Sequence, residues 1–224
     1  MSFLKSTVGR KLIMAITGSF MVVFVVIHLL GNSSVYIGPD GINSYAAKLH
    51  GLGPFVWIFR LVMLTLFSLH VIFGIQLTLE NSAARPQQYA VRKTLRITFA
   101  GKTMIWTGLL IAAFLTYHLL HFTIQVTNPA ISSQMNSDMT GRPDVYRMVV
   151  LSFQNSAIVG VYGLAMVGLG LHLSHGIQSF FQTFGLNTDR TMPVITRSGV
   201  LAALVLFAGY VAIPVIIVLG FLRA

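Results

Sequence analysis

The sequence predicts an all-α integral membrane protein, a bundle of five spanning helices. Two observations carry that expectation. The 224-residue chain is 55% hydrophobic and only 9% charged, where soluble domains carry about a quarter charged residues; its mean hydropathy is +0.78. The charge-free apolar residues also fall into separate runs, each near the roughly 20 residues a helix needs to cross a ~30 Å hydrocarbon core. Only helices satisfy their backbone in lipid from single segments of this kind.

The runs are about 12–31, 55–79, 103–126, 148–176 and 198–222, within a single membrane domain spanning 1–224. The first follows a basic start, "MSFLKSTVGRK". No small-residue cleavage site follows it and it has full spanning length, so it is expected to be a retained helix rather than a signal peptide. The second carries Arg60 near its start, where the guanidinium can snorkel to the interface. The fourth continues past Gly176 into "IQSFFQTFGLN". A helix over all of it would overshoot the membrane.

Lysine and arginine set the expected orientation. Lys5, Arg10, Lys11, Arg85, Arg92, Lys93, Arg96, Lys102, Arg190 and Arg197 fall on one side; Lys48, Arg142, Arg147 and Arg223 fall on the other. The positive-inside rule places the N-terminus in the cytoplasm and the C-terminus outside. The first and third connections are then outside, and both are rich in turn formers. The net charge of +10 follows this topology; no basic stripe with interleaved aromatics marks a nucleic-acid surface. The chain has no cysteine, which excludes disulfides and Cys-ligated zinc or iron–sulfur sites within it.

Six of the seven histidines lie within or at the ends of the apolar runs: His28, His70, His118, His121, His172 and His175. An ionisable residue inside a membrane marks a functional site unless a neighbouring helix simply hydrogen-bonds it. Four helices each contribute at least one, and the depths pair them. His28 lies 17 residues beyond Lys11 and His118 lies 16 beyond Lys102, so both sit about 24–26 Å above the inner charges. His70 and His172, on helices running the other way, fall toward the cytoplasmic side. Spacing repeats as well. Thr17–Gly18 precedes His28 as "TG-x9-H", and Thr107–Gly108 precedes His118 in the same way. His70 with Gly74, and His172 with Gly176, both read "H-x3-G", which puts each glycine on its histidine's face. A glycine there lets a flat, bulky ligand approach the backbone.

Two facing imidazoles at one depth suit the two axial positions of a haem iron. With both positions filled, such a haem only passes electrons. Zinc would ask for four ligands close together, and a proton relay would ordinarily include carboxylates. The acidic residues Asp40, Glu80, Asp138, Asp144 and Asp189 all lie in loops or at helix ends.

Three segments carry a family resemblance: "STVGRKLIMAITGSFMVVFVVIHLLGN", "TGLLIAAFLTYHLLHF" and "LHLSHGIQSFFQTFG". The chain resembles, over essentially its whole length, the cytochrome b subunit of succinate dehydrogenase or fumarate reductase. More narrowly it resembles the b558-type single-chain di-haem anchor. That resemblance implies a bundle enclosing two haem b groups, with His70 and His172 ligating the inner haem and His28 and His118 the outer. His121, His175, Gly74 and Gly176 are then candidate haem surroundings; His121 and His175 are expected to meet propionates or quinone. It further implies a flavoprotein subunit with the dicarboxylate site, an iron–sulfur subunit, and menaquinone or another quinone in the lipid of a bacterial-type cytoplasmic membrane. A higher oligomer of the complex is compatible with it. Asn43, Tyr45, His50 and Gly51 form a candidate outer quinone rim, and Ser179 and Gln182 a candidate inner one. The alternatives are a cytochrome b subunit of a hydrogenase or formate dehydrogenase, and a haem-free small transporter. The last would more naturally show broken helices or an intramembrane carboxylate.

Overall fold

The computed structural model describes residues 6–84 and 98–224. Five of its helices are long and apolar enough to span a membrane. They are built on α1 (Thr7–Asn32), α3 (Pro54–Ala83), α5 (Met104–His118), α7 (Ser156–Thr183) and α8 (Met192–Val218), the first and third spans continuing to Ile37 and Thr123. Shorter helices lie between them: α2 (Pro39–Gly51), α4 (Phe99–Lys102) and α6 (Val145–Phe153). Helix α7 is central, packing on α1, α5 and α8, while α1 also packs along α3. Much of the outer surface is large and apolar, as at Leu30, Leu61, Trp106, Leu164 and Leu201, which is the surface that hydrocarbon wets.

Local chemistry starts several of the spans. The Ser6 hydroxyl accepts from Gly9 N at 2.9 Å and caps α1. Prolines open α3 and α8, where the missing N–H costs nothing. An ion pair between Arg10 in the first turn of α1 and Glu80 in the last turn of α3 shows that the two helices run antiparallel. It defines one face of the bundle, here the N face. Of the charges expected there, Lys5, Arg85, Arg92, Lys93 and Arg96 lie outside the described residues.

The far face departs from the expected loops. The first connection contains α2, with Pro39 in its first turn beside Asp40, and Lys48 and His50 in its last. Proline presets the first turn, and this charge order suits the helix dipole. The apolar run at 148–176 is two helices. Helix α6 ends at Phe153, and Asn155 restarts the chain by accepting from Ala157 N. Met148, Val150, Ser152 and Phe153 of α6 are buried, so its apolar character comes from protein contact. The span α7 continues past Gly176 to Thr183, and its 28 residues extend about 42 Å.

The third run ends early. After His118 the helix widens into a π turn over Leu119–Thr123, and Gln125 stops it with φ 62°. That left-handed conformation is unfavourable for glutamine. The Gln125 side chain is held by Ser132 at 2.6 Å and Ser133 at 3.0 Å. The fifth span begins at Met192, earlier than the run 198–222, and ends at Val218.

A polar clamp fastens the far-face segments together. Asn43 is fully buried; its amide donates to Asp138 and Asp144 at 3.2 and 3.3 Å and its oxygen accepts from Tyr146 N at 2.8 Å. Arg142 donates to Asp138, Ser44 and Asp40. Desolvation raises the Asp138 carboxyl, but hydrogen bonds from Thr140 and Arg142 outweigh it and hold the group well below the usual carboxylate range. Two outcomes follow. Asn43→Ala strands a buried N–H and should cost about 1–3 kcal/mol in thermal or denaturant unfolding. The stabilisation from Asp138 is complete above the ordinary carboxylate pKa and is lost as pH falls below it, toward the depressed folded value. Acid unfolding of Asp138→Asn should therefore lack that component.

Candidate functional site

The inward faces of α1, α3, α5 and α7 do not close on one another. They surround a cavity of about 2810 Å³, several times the roughly 300–1,000 Å³ of a typical small-molecule site. His28, His70, His118 and His172 all line it. His70 of α3 faces His172 of α7 with ring centroids 6.2 Å apart. His28 of α1 faces His118 of α5 with centroids 5.9 Å apart. Imidazoles bound on opposite sides of one metal at ~2.0–2.1 Å would have centroids about 6 Å apart. Both pairs have that separation. Among the described residues, no three His, Cys, Asp or Glu side chains gather into a metal-binding group.

The pairs lie at two depths, and the repeated Thr-Gly sets them. Gly18 lies against His70: a Cβ there would be 3.2 Å from the imidazole Cε1. Gly108 lies against His172, where the distance would be 3.3 Å. Each glycine precedes the histidine of the other layer by ten residues on its own helix, which separates the layers by about 15 Å.

The threonines of the same motifs orient the rings. Thr17 gives its hydroxyl proton to the Ile13 carbonyl at 2.8 Å, so its oxygen is free to accept from His70 Nδ1 at 3.2 Å. The Met14 carbonyl, which can only accept, is also 3.2 Å from that nitrogen. His70 therefore carries its proton on Nδ1 and presents a bare Nε2. Thr107 repeats the arrangement, donating to the Thr103 carbonyl at 3.0 Å and lying 3.2 Å from His172 Nδ1. An acceptor on Nδ1 fixes the tautomer and makes the ring a better ligand. The Thr-Gly repeat was visible in the sequence, but only its glycine suggested a role there.

In the far layer His118 Nδ1 lies 3.3 Å from the Tyr162 hydroxyl. His28 stacks on Phe24, with centroids 5.3 Å apart. Neither Tyr162 nor Ser152 carried a spacing signal, because α6 and α7 read as one run. His121 is 5% exposed, bonded through both ring nitrogens to Tyr162 and Ser152. It lines a separate pocket of about 280 Å³ with Tyr117 and Asn155 rather than the main cavity. His175 does line the cavity; its Nδ1 is buried without a hydrogen-bond partner among the described residues.

The remaining candidates divide. Gly74 and Gly176 line the cavity, as do Tyr45, His50, Ser179 and Gln182. Gly176 has no atom within 4 Å of its Cβ position. Asn43 is committed to the far-face clamp, which uses both ends of its amide. Compared with known families, curated proteins and solved structures, the chain matches none.

The glycines give a signed test. Gly18→Val and Gly108→Val crowd an imidazole and should destabilise the chain by about 1–3 kcal/mol. Gly176→Ala points into open space and should stabilise the ligand-free chain by about 0.5–1 kcal/mol, the helical preference of alanine over glycine. If the cavity holds a flat group against that backbone, the same change should weaken its retention. Thermal unfolding with and without the bound group measures both signs.

Proposed function

We propose that the chain is the di-haem cytochrome b anchor of a succinate:quinone oxidoreductase or quinol:fumarate reductase. The observation that carries this reading is the pair of facing histidine couples, 6.2 and 5.9 Å between centroids, in one cavity about 15 Å apart in depth. His70 and His172 would hold an inner haem, and His28 and His118 an outer one. A haem in each place would supply one-electron transfer.

The chain's own residues then have defined tasks. The four histidines would be the iron ligands, the inner pair through the Nε2 atoms left bare by their Nδ1 contacts. Thr17 and Thr107 hold the inner rings by their Nδ1 protons. Gly74 and Gly176 leave space beside the ligand-bearing helix faces. Tyr45 and His50 at the outer end, and His175, Ser179 and Gln182 at the inner end, are among the cavity-lining polar groups available to a quinone. No carboxylate lines the cavity among the described residues, so quinone protons come from these groups or from water. The basic N face is the cytoplasmic one by the positive-inside rule, and it would receive an iron–sulfur subunit and flavoprotein that hold the dicarboxylate chemistry. Lipid and menaquinone or a related quinone complete the setting, a bacterial-type cytoplasmic membrane.

The test is the electron donor. Purified from membranes through a tag on this chain, the complex should contain a flavoprotein and an iron–sulfur protein, and succinate should reduce its b-type absorption. Reduction by hydrogen or formate but not succinate would assign the anchor to another membrane dehydrogenase.

A further inference from the structure

In the far layer, the hydrogen bonds leaving His118 form a chain with only one consistent direction. Its anchor is Ser152, 2% exposed. The Ser152 hydroxyl donates to the Met148 carbonyl at 2.7 Å. Its oxygen therefore accepts, and the neighbour 3.1 Å away is His121 Nε2, which must carry the proton. A neutral imidazole with its proton on Nε2 has a bare Nδ1. That atom lies 2.9 Å from the Tyr162 hydroxyl, which donates to it. The Tyr162 oxygen is then an acceptor for His118 Nδ1–H at 3.3 Å. The last ring is left with its proton on Nδ1 and its lone pair on Nε2.

We infer that Ser152, His121 and Tyr162 are positioning residues for the outer haem, setting the tautomer, ring orientation and electron donation of His118. This rests on the haem reading above and adds to it a hydrogen-bonded chain behind His118 that begins on α6. Ser152 and His121 do not line the main cavity, so they reach its contents only through the chain. The π turn that follows His118 is what carries His121 between Tyr162 and Ser152. A widened turn at such a place is a common device of functional helices. The inner ligands use a different device, threonine and backbone carbonyls on the facing helix, so the two layers are separable by mutation.

The direction of the effect follows from the donor–acceptor order. An acceptor on Nδ1–H makes an imidazole a stronger electron donor and favours the oxidised iron. Tyr162→Phe removes that acceptor. Ser152→Ala removes the anchor, which frees His121 to move its proton to Nδ1 and place N–H against the tyrosine O–H. The experiment is a potentiometric titration of the purified complex, with low-temperature electron paramagnetic resonance of the oxidised haems. The outer signal is assigned as the one lost in His118→Ala.

Both variants should raise the outer midpoint potential and shift its low-spin g values, leaving the inner haem at its wild-type potential. Ser152→Ala deletes a single oxygen remote from the haem and decides the matter should Tyr162→Phe fail to assemble. Unchanged outer potential and spectrum in a Ser152→Ala complex that retains both haems would overturn the inference. A well-folded wild-type complex without haem would instead overturn the reading on which it rests.

Discussion

An imidazole inside a membrane must satisfy two nitrogens, and the bilayer supplies partners for neither. That constraint organises the interior of this protein. In the N-face layer the Nδ1 protons go to Thr17, Met14 and Thr107, all on the helix opposite the ring. In the far layer His118 turns to Tyr162. The second nitrogens of the facing rings remain for whatever lies between them. Helices that could have packed directly instead stand apart around a cavity lined by all four rings. A simple helix-packing role for these histidines would close that space and pair the nitrogens across it.

The small residues have the same logic. Gly18 and Gly108 admit the imidazole edge of a neighbouring helix, so the ring is held from behind. Gly74 and Gly176 lie on the faces of His70 and His172 and open onto the cavity, so space remains in front. Two motifs therefore frame each of these rings, one from behind and one in front. Each Thr-Gly motif also lies a fixed ten residues from the far-layer histidine on its own helix. Helices α1 and α5 thus act as rulers that hold both layers in register.

Much of this was legible before any coordinates. The apolar runs located the five spans, the distances from Lys11 and Lys102 separated two histidine depths, and the Thr-Gly repeat pointed to the second layer. What sequence reasoning missed has physical causes. Hydropathy does not distinguish burial by protein from burial by lipid, so α6 merged with α7 across the break that Asn155 caps. Turn-forming residues in the first connection obscured α2, whose Pro39 start is also a helix signal. Asn43 resembled a ligand-facing polar residue, but its partners Asp138 and Asp144 lie far along the chain. The chain from Ser152 to His118 spans α6, α5 and α7, and no periodicity in one segment encodes a contact among three.

On the reading proposed above, each facing histidine pair holds one haem. The most direct measurement is a haem-to-polypeptide count by pyridine haemochrome on the purified protein, taken with oxidised and dithionite-reduced spectra. Two b-type haems per chain are expected. One haem would reduce one of the two layers to structural packing. None, in a folded preparation, would contradict the electron-transfer reading altogether.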